Sequence, residues 1–276
     1  MLPESPFAEP SLSDAEFIRY SRSLMLGEDG EIRQLRLKQA KVLLLGLGGL
    51  GCPVATTLVN AGIGAITLID SDVVELSNLP RQSLYQTSDI GQAKAVVAAA
   101  RLRQHNPHPH ISAVKGRPDT HQLSQLVQAC DLLIDCSDNL PTRLQLNALA
   151  HAAGKPLFAG AVSGHSAQIY LLSPATACYQ CLVDPNWQAL QNCRTLGVDP
   201  ALVALTAQQL ALLLLQYLQA DSATRPAAVP FGHYGRYLAW QPGHSSTSGF
   251  RWYPVQADPN CGCCAPRDNP SSATGV

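Results

Sequence analysis

Residues 41–70 read KVLLLGLGGLGCPVATTLVNAGIGAITLID, and this order constrains the fold more than any other stretch. KVLLLG (41–46) reads as a buried strand, CPVATTLVNAG (52–62) as a helix, and AITLID (65–70) as a second buried strand, which makes a βαβ unit. Between strand and helix lies GLGGLG (46–51). Gly46 allows the tight turn, Gly48 lets a phosphate approach the backbone, and Gly51 lets helix and sheet pack closely, with Gly49 completing the loop. The N–H groups that open the helix then face the phosphates. Asp70 ends the second strand 24 positions after Gly46, where a carboxylate meets ribose hydroxyls.

The alternation continues. Helical patterns near 91–105, after Asp119 or Thr120, and after Pro141 separate apolar strands at 111–114, 131–135 and near 160. A mostly parallel sheet covered by helices follows, an α/β Rossmann-like fold. Ahead of it, 13–39 carry a helical pattern; beyond 167 the chain changes to AQIYLL, a cysteine-bearing segment, a long apolar helix, a Gly/Pro/Ser-rich region at 222–249, and a late strand, GFRWYPV. The expected organisation is a flexible 1–12, one domain over 13–265, and a disordered tail at 266–276. Within the domain, 13–160 form the nucleotide-binding half and 161–265 an extended C-terminal half.

Balanced charge, 19 Lys+Arg against 20 Asp+Glu, argues against a nucleic-acid partner. Charged residues are only 14%, and a surface so poor in charge is expected to be covered in part by a second copy. The N-terminal MLPESPFAEP does not read as a signal peptide. ALVALTAQQLALLLLQYL (201–218) is interrupted by Gln208 and Gln209 and reads as a buried helix, not a membrane span.

The polar residues around the glycine loop point to a longer phosphate chain than a dinucleotide carries. Arg81 suits a bidentate phosphate clamp. Lys94 opens the next helix beside the same crevice. Asp138 follows the DLLID strand, where a carboxylate suits Mg²⁺ on phosphates. Arg22 precedes the first strand and has to arrive from a folded-back arm or a neighbouring subunit. These residues favour ATP over NAD. With no GxxxxGK[ST] motif, attack at the α-phosphorus by a substrate carboxylate is the expected chemistry. An NAD(P)-dependent oxidoreductase and a nucleotide-binding scaffold without turnover are the alternatives.

Nine cysteines divide into two groups. Cys52, Cys130 and Cys136 lie in apolar settings and read as core thiols. CYQC (178–181) and CGCC (261–264) form two knuckles, so Cys178, Cys181, Cys261 and Cys264 are expected to hold a structural Zn²⁺ tetrahedrally, with Cys263 an alternative to Cys264. Cys193 remains outside the pairs; Arg194 beside it would favour a thiolate able to attack an activated carboxyl or carry sulfur. Free thiols in this number suit a reducing, cytoplasmic setting.

RYSRS (19–23), GLGGLG, DSDVVELSNLPRQ (70–82), GQAK (91–94), DCSDNLPTR (135–143) and the cysteine pairs together resemble the bacterial ubiquitin-activating-enzyme-like adenylyltransferases of small sulfur-carrier proteins. The resemblance implies that Asp70 holds the ribose, that Asn78, Arg81 and Lys94 reach the phosphates, and that Asp138 binds Mg²⁺. Arg22 would enter the partner's site in a homodimer. The carrier's C-terminal Gly-Gly would be adenylated. NCRTLGV (192–198) is more similar to the thiamine-pathway enzymes than to the molybdopterin-pathway ones, which implies a role for Cys193 in sulfur transfer, with sulfur from a separate donor protein. Ser23 replaces a usual glutamine, and DPALVALTAQQLALL (199–213) replaces a glycine-rich stretch.

Overall fold

The computed structural model describes residues 11–182, 197–238 and 249–265. Cys193, residues 1–10 and the 266–276 tail lie outside the described residues. The 13–39 pattern forms two helices, α1 (Asp14–Leu24) and α2 (Gly30–Gln39). Gly27, at φ +95°, turns the chain between them, and a Cβ on Gly30 would lie 1.9 Å from the Leu24 carbonyl oxygen.

The alternating section follows as β1 (Lys41–Leu45), α3 (Gly51–Ala61), β2 (Ala65–Asp70), α4 (Lys94–His105), β3 (His110–Lys115), α5 (Thr120–Gln128), β4 (Leu132–Asp135), α6 (Leu140–Ala152) and β5 (Leu157–Ser163). Local chemistry sets the helix starts. Asp119 accepts from the Gln122 N–H at 2.8 Å, and Asn139 from the Thr142 N–H at 3.0 Å with Pro141 in the first turn. Beyond them come β6 (Ser166–Leu172), the 20-residue helix α7 (Pro200–Gln219), β7 (His233–Leu238) and β8 (Gly249–Pro254).

All eight strands form one sheet in the order β3-β2-β1-β4-β5-β6-β7-β8. The first five are parallel, and β5 through β8 pair antiparallel. Apolar residues cover both faces. In β1, Val42 and Leu44 join one core with α3, α4 and α7, while Leu43 and Leu45 join a second with α5 and α6. Helix α7 is long and apolar enough to cross a membrane by length and composition, yet it packs into the first core through Leu210, Leu214 and Leu218.

Strand β7 lies inside the region read from sequence as Gly/Pro/Ser-rich. HYGRYL has no apolar run. Its pairing comes from aromatic partners across the ladder, with Tyr234 stacked on Tyr253 at 5.4 Å and Tyr237 against Phe250 at 5.5 Å. Gly235 lies under the Trp252 ring, which leaves 3.0 Å for a Cβ.

Candidate nucleotide site and cysteine cluster

The chain order reverses at β1, which lies between β2 and β4. A crevice outside the carboxyl ends of strands at such a point is where ligands bind in open α/β sheets. Here the three strand ends are stitched together. The Gly46 N–H donates to the Ile69 carbonyl at 2.8 Å, and the Cys136 N–H to the Leu45 carbonyl at 2.8 Å. Gly46 adopts φ +92°, and a Cβ there would meet the Cys136 carbonyl oxygen at 2.6 Å. Gly51 is tighter still, 1.8 Å from the Gly46 carbonyl oxygen, so helix α3 abuts the turn itself. Gly49 faces protein, with Val203 of α7 at 2.8 Å and Arg81 at 3.4 Å from its missing Cβ. Gly48 differs from all three. Its missing Cβ would meet only the Gln82 Nε2, at 3.7 Å. That backbone is the one open to a phosphate.

Asp70 holds the loop from beneath. Its carboxylate accepts from the Leu47 N–H at 2.6 Å and the Asp72 N–H at 2.8 Å. Burial pushes its pKa up, and those two N–H groups and the Lys94 charge pull it back. The Leu47 carbonyl accepts from the Tyr85 hydroxyl at 2.9 Å and the Cys52 thiol at 3.2 Å. Cys52 is pushed up to about 12 and Cys130 to about 11, in each case chiefly by burial, so both are inert core thiols. Cys136, buried as well, is also raised by burial and by Asp135.

The segment after Asp70 folds back on itself. The Val74 N–H donates to the Gln92 carbonyl at 2.9 Å, and Val73 bridges Ala93. This brings Lys94, at the first turn of α4, to Asp72 with an Nζ–Oδ2 distance of 3.2 Å. A tight turn at Leu76–Asn78 precedes Arg81, whose guanidinium donates to the Ser77 carbonyl at 2.9 Å. Asn78 is buried, and its side chain closes this turn, accepting from the Glu75 N–H at 3.3 Å. Asp138 is exposed just beyond β4. Its predecessor is fixed, because Asp135 Oδ1 accepts from the Ser137 N–H at 2.8 Å and the Ser137 hydroxyl at 2.6 Å.

Arg22 is on the other side of the molecule from this crevice. Helix α1 lies against the carboxyl ends of α3 and α4. The Asn106 amide donates to the Tyr20 hydroxyl at 2.9 Å and the Val59 carbonyl at 2.7 Å, and Arg19 donates to the His105 carbonyl at 3.1 Å. Those helix ends mark the edge of the sheet opposite the glycine loop, so Arg22 cannot reach its own chain's crevice from α1.

The cysteine knuckles meet beside β6. The Sγ atoms of Cys178, Cys181, Cys261 and Cys264 all lie within 4.8 Å of one another, a set able to hold a metal. Two backbone N–H groups point at these sulfurs, Asp258 to Cys181 and Cys263 to Cys261, each at 3.5 Å. The Cys263 Sγ instead accepts from the Asn147 amide at 3.3 Å, so Cys264 and not Cys263 completes the cluster. A closed set of four thiols with N–H groups on the sulfurs suits a structural Zn²⁺. Tyr179, between the first two ligands, packs edge-on against Tyr170 of β6 at 5.0 Å.

The ThiF family model matches residues 20–262. The chain belongs to the ThiF family. Among curated relatives it is 38% identical over 209 residues to the sulfur carrier protein ThiS adenylyltransferase of Escherichia coli K12, covering 75% of this chain and 83% of that one. The sulfur carrier protein adenylyltransferase of Thermus thermophilus is 36% identical across 90% of this chain and 91% of that one. The molybdopterin-synthase adenylyltransferase of E. coli K12 is 34% identical across 92% and 98%. Of solved structures, that of E. coli MccB with ATP superposes with a TM-score of 0.74 at 23% identity, over 90% of this chain and 73% of that one, a likeness of fold.

In this ThiF-family chain the structure brings Gly46, Gly48, Gly51, Asp70, Arg81 and Lys94 together around one loop, and leaves Arg22 apart. Sequence reasoning assigned nothing to Asp72, Gln82, Tyr85 or Arg143. Gln82 is buried, and its Oε1 has no hydrogen-bond partner among the described residues. A polar residue directly after Arg81, just ahead of the buried pair Leu84 and Tyr85, was the available signal for Gln82.

Proposed function

We propose that this chain is an ATP-dependent adenylyltransferase that activates the C-terminal Gly-Gly carboxylate of a ubiquitin-like sulfur-carrier protein of the ThiS type. The observation that carries this reading is the open backbone at Gly48, flanked by Asp70, Lys94 and Arg81, in a chain of the ThiF family. A carrier carboxylate oxygen attacks the α-phosphorus, the bond to the bridging oxygen breaks, and pyrophosphate leaves. The products are an acyl-adenylate and pyrophosphate. The attacking carboxylate is already ionised, so no protein base is needed. Arg81 and Lys94 supply the positive charge that the leaving group requires. Asp138 would hold Mg²⁺, which neutralises phosphate charge when bound. Family membership favours this chemistry over the oxidoreductase and scaffold readings.

Three finer assignments belong to the same reading. Zn²⁺ occupies the four-thiol cluster, supported by its closed sulfur set, and free thiols in that role suit a reducing cytoplasm. The enzyme works as a homodimer with Arg22 acting across the interface. Its support is the position of α1, which carries exposed Phe17 and Ile18, with Met25 and Leu26 exposed directly after it. Cys193 passes sulfur to the activated carrier after adenylation, with a separate donor protein.

ATP–pyrophosphate exchange tests the central claim. Exchange should require Mg²⁺ and a Gly-Gly-tailed carrier. A thiamine-type carrier should support it better than a molybdopterin-type one, and the reverse order would reassign the pathway. No exchange with either carrier would overturn adenylation. Cys193→Ser should retain exchange but lose thiocarboxylate formation on the carrier, read by intact mass.

A further inference from the structure

One buried cation takes no part in the chemistry above. Arg143, in α6, is buried, and its guanidinium spans three parts of the fold. One nitrogen, Nη2, donates both to the Ser137 carbonyl and, at 2.8 Å, to the Gly160 carbonyl in β5. The guanidinium carbon lies 5.9 Å from the centre of the Tyr179 ring, between the cysteine ligands Cys178 and Cys181. One turn further along α6, Asn147 accepts from the Tyr179 N–H at 2.8 Å and donates to Cys263. One face of α6 therefore touches the loop that carries Asp138, the strand beside it and the cysteine cluster.

Such a placement is costly for a charge unless it is paired and hydrogen-bonded. Burial works most strongly against the cation, and the Asp135 carboxylate is foremost among the groups that together outweigh it. Asp135 is the same residue that holds the Ser137 N–H and hydroxyl. Ser137 is thus gripped on its donor side by Asp135 and on its carbonyl side by Arg143. The next residue is Asp138, exposed at the mouth of the crevice. The peptide group that leads into Asp138 is held at its carbonyl by Arg143, and the one before it at its N–H by Asp135, which restricts the Asp138 backbone.

We propose that Arg143 is a positioning residue for Asp138, fixing the peptide that presents this carboxylate to phosphate-bound Mg²⁺ and tying that setting to the cysteine knuckle through Tyr179. The inference rests on the Mg²⁺–ATP reading of the crevice. Lysine in its place would keep the charge but, on a shorter stem and without the guanidinium, would not reach both carbonyls while lying over the Tyr179 ring.

A double-mutant cycle on the full-length protein tests this, with the Kd of a fluorescent ATP analogue measured with and without Mg²⁺. In the wild type, Mg²⁺ should tighten binding. Arg143→Lys should reduce that tightening by roughly tenfold and leave Mg²⁺-free binding unchanged. Asp138→Ala should abolish the tightening, and adding Arg143→Lys to it should change nothing more. A loss from Arg143→Lys that persists in the Asp138→Ala background would overturn the positioning role, as would an Arg143→Lys protein with wild-type Mg²⁺ dependence. If Arg143→Lys does not fold, Tyr179→Leu takes its place in the cycle, with the same two criteria. Absence of any Mg²⁺ effect in the wild type would instead defeat the reading of the crevice itself.

Discussion

Two glycines three residues apart in one loop meet opposite demands. A Cβ on Gly51 would lie 1.8 Å from a backbone oxygen, and neither partner can retreat without moving helix or strand. Gly51→Ala should therefore cost about 1–3 kcal/mol or more of stability, read as a lowered denaturant midpoint. A Cβ on Gly48 would meet only the Gln82 Nε2, at an unstrained 3.7 Å. Gly48→Ala should melt like the wild type yet bind ATP at least tenfold more weakly in a titration, because the methyl group occupies the phosphate's approach. Arg81→Ala should lower the turnover of pyrophosphate exchange by roughly 10²-fold, more than it raises the KM for ATP, if the guanidinium grips departing charge. The glycine spacing and Asp70 were legible because the backbone of one local turn dictates them. The Lys94–Asp72 pair, Gln82 and Arg143 were not. Their partners are set by a ribbon that joins 72–74 to 91–93 and by a helix that faces three segments at once, neither of which leaves a periodic trace.

Among the elements, one carboxylate helps tie α1 to α2. Glu16 caps the Ser13 N–H at 2.9 Å and pairs with Lys38 at 2.7 Å. Burial alone would raise its pKa, but the Lys38 ammonium and the Ser13 donors outweigh it, so the value falls from 4.5 to about 2. A depressed folded-state pKa gives stability that is fully present above pH 4.5 and is lost as pH falls toward 2. Over that window the melting temperature of the wild type should fall more steeply than that of Glu16→Gln, and above it the wild type should be the more stable. At the start of α7, Asp199 accepts from the Ala201 N–H at 2.8 Å. Asp199→Ala should cost about 1 kcal/mol, read by chemical denaturation. Helices with such caps, and strands with unbroken apolar runs, were readable from the sequence. Strand β7 was not, because Tyr234 and Tyr237 acquire partners only when β6 and β8 lie on either side of them.

At the scale of the whole molecule, the antiparallel extension β6–β8 and the parallel nucleotide-binding strands share one sheet, and the cysteine cluster fastens its far end. One Zn²⁺ per chain is expected by elemental analysis. Cys181→Ser, or a strong chelator, should lower the melting temperature by several degrees while unfolding remains cooperative, since metal held only by the folded state adds to its stability. The knuckles were legible from spacing alone. Their attachment to α6 was not, because it runs through Asn147 and Tyr179, which look like ordinary helix and turn residues in the chain. The two ligand pairs are 83 positions apart, from Cys178 to Cys261 and from Cys181 to Cys264. A metal there makes the intervening chain a closed ring. A ring survives one cut. The chain expressed as two pieces divided between Cys181 and α7 should stay joined through the metal as well as through α7 in the core and β7 against β6, so chelator should lower the melting temperature of the two-piece protein more than that of the intact chain.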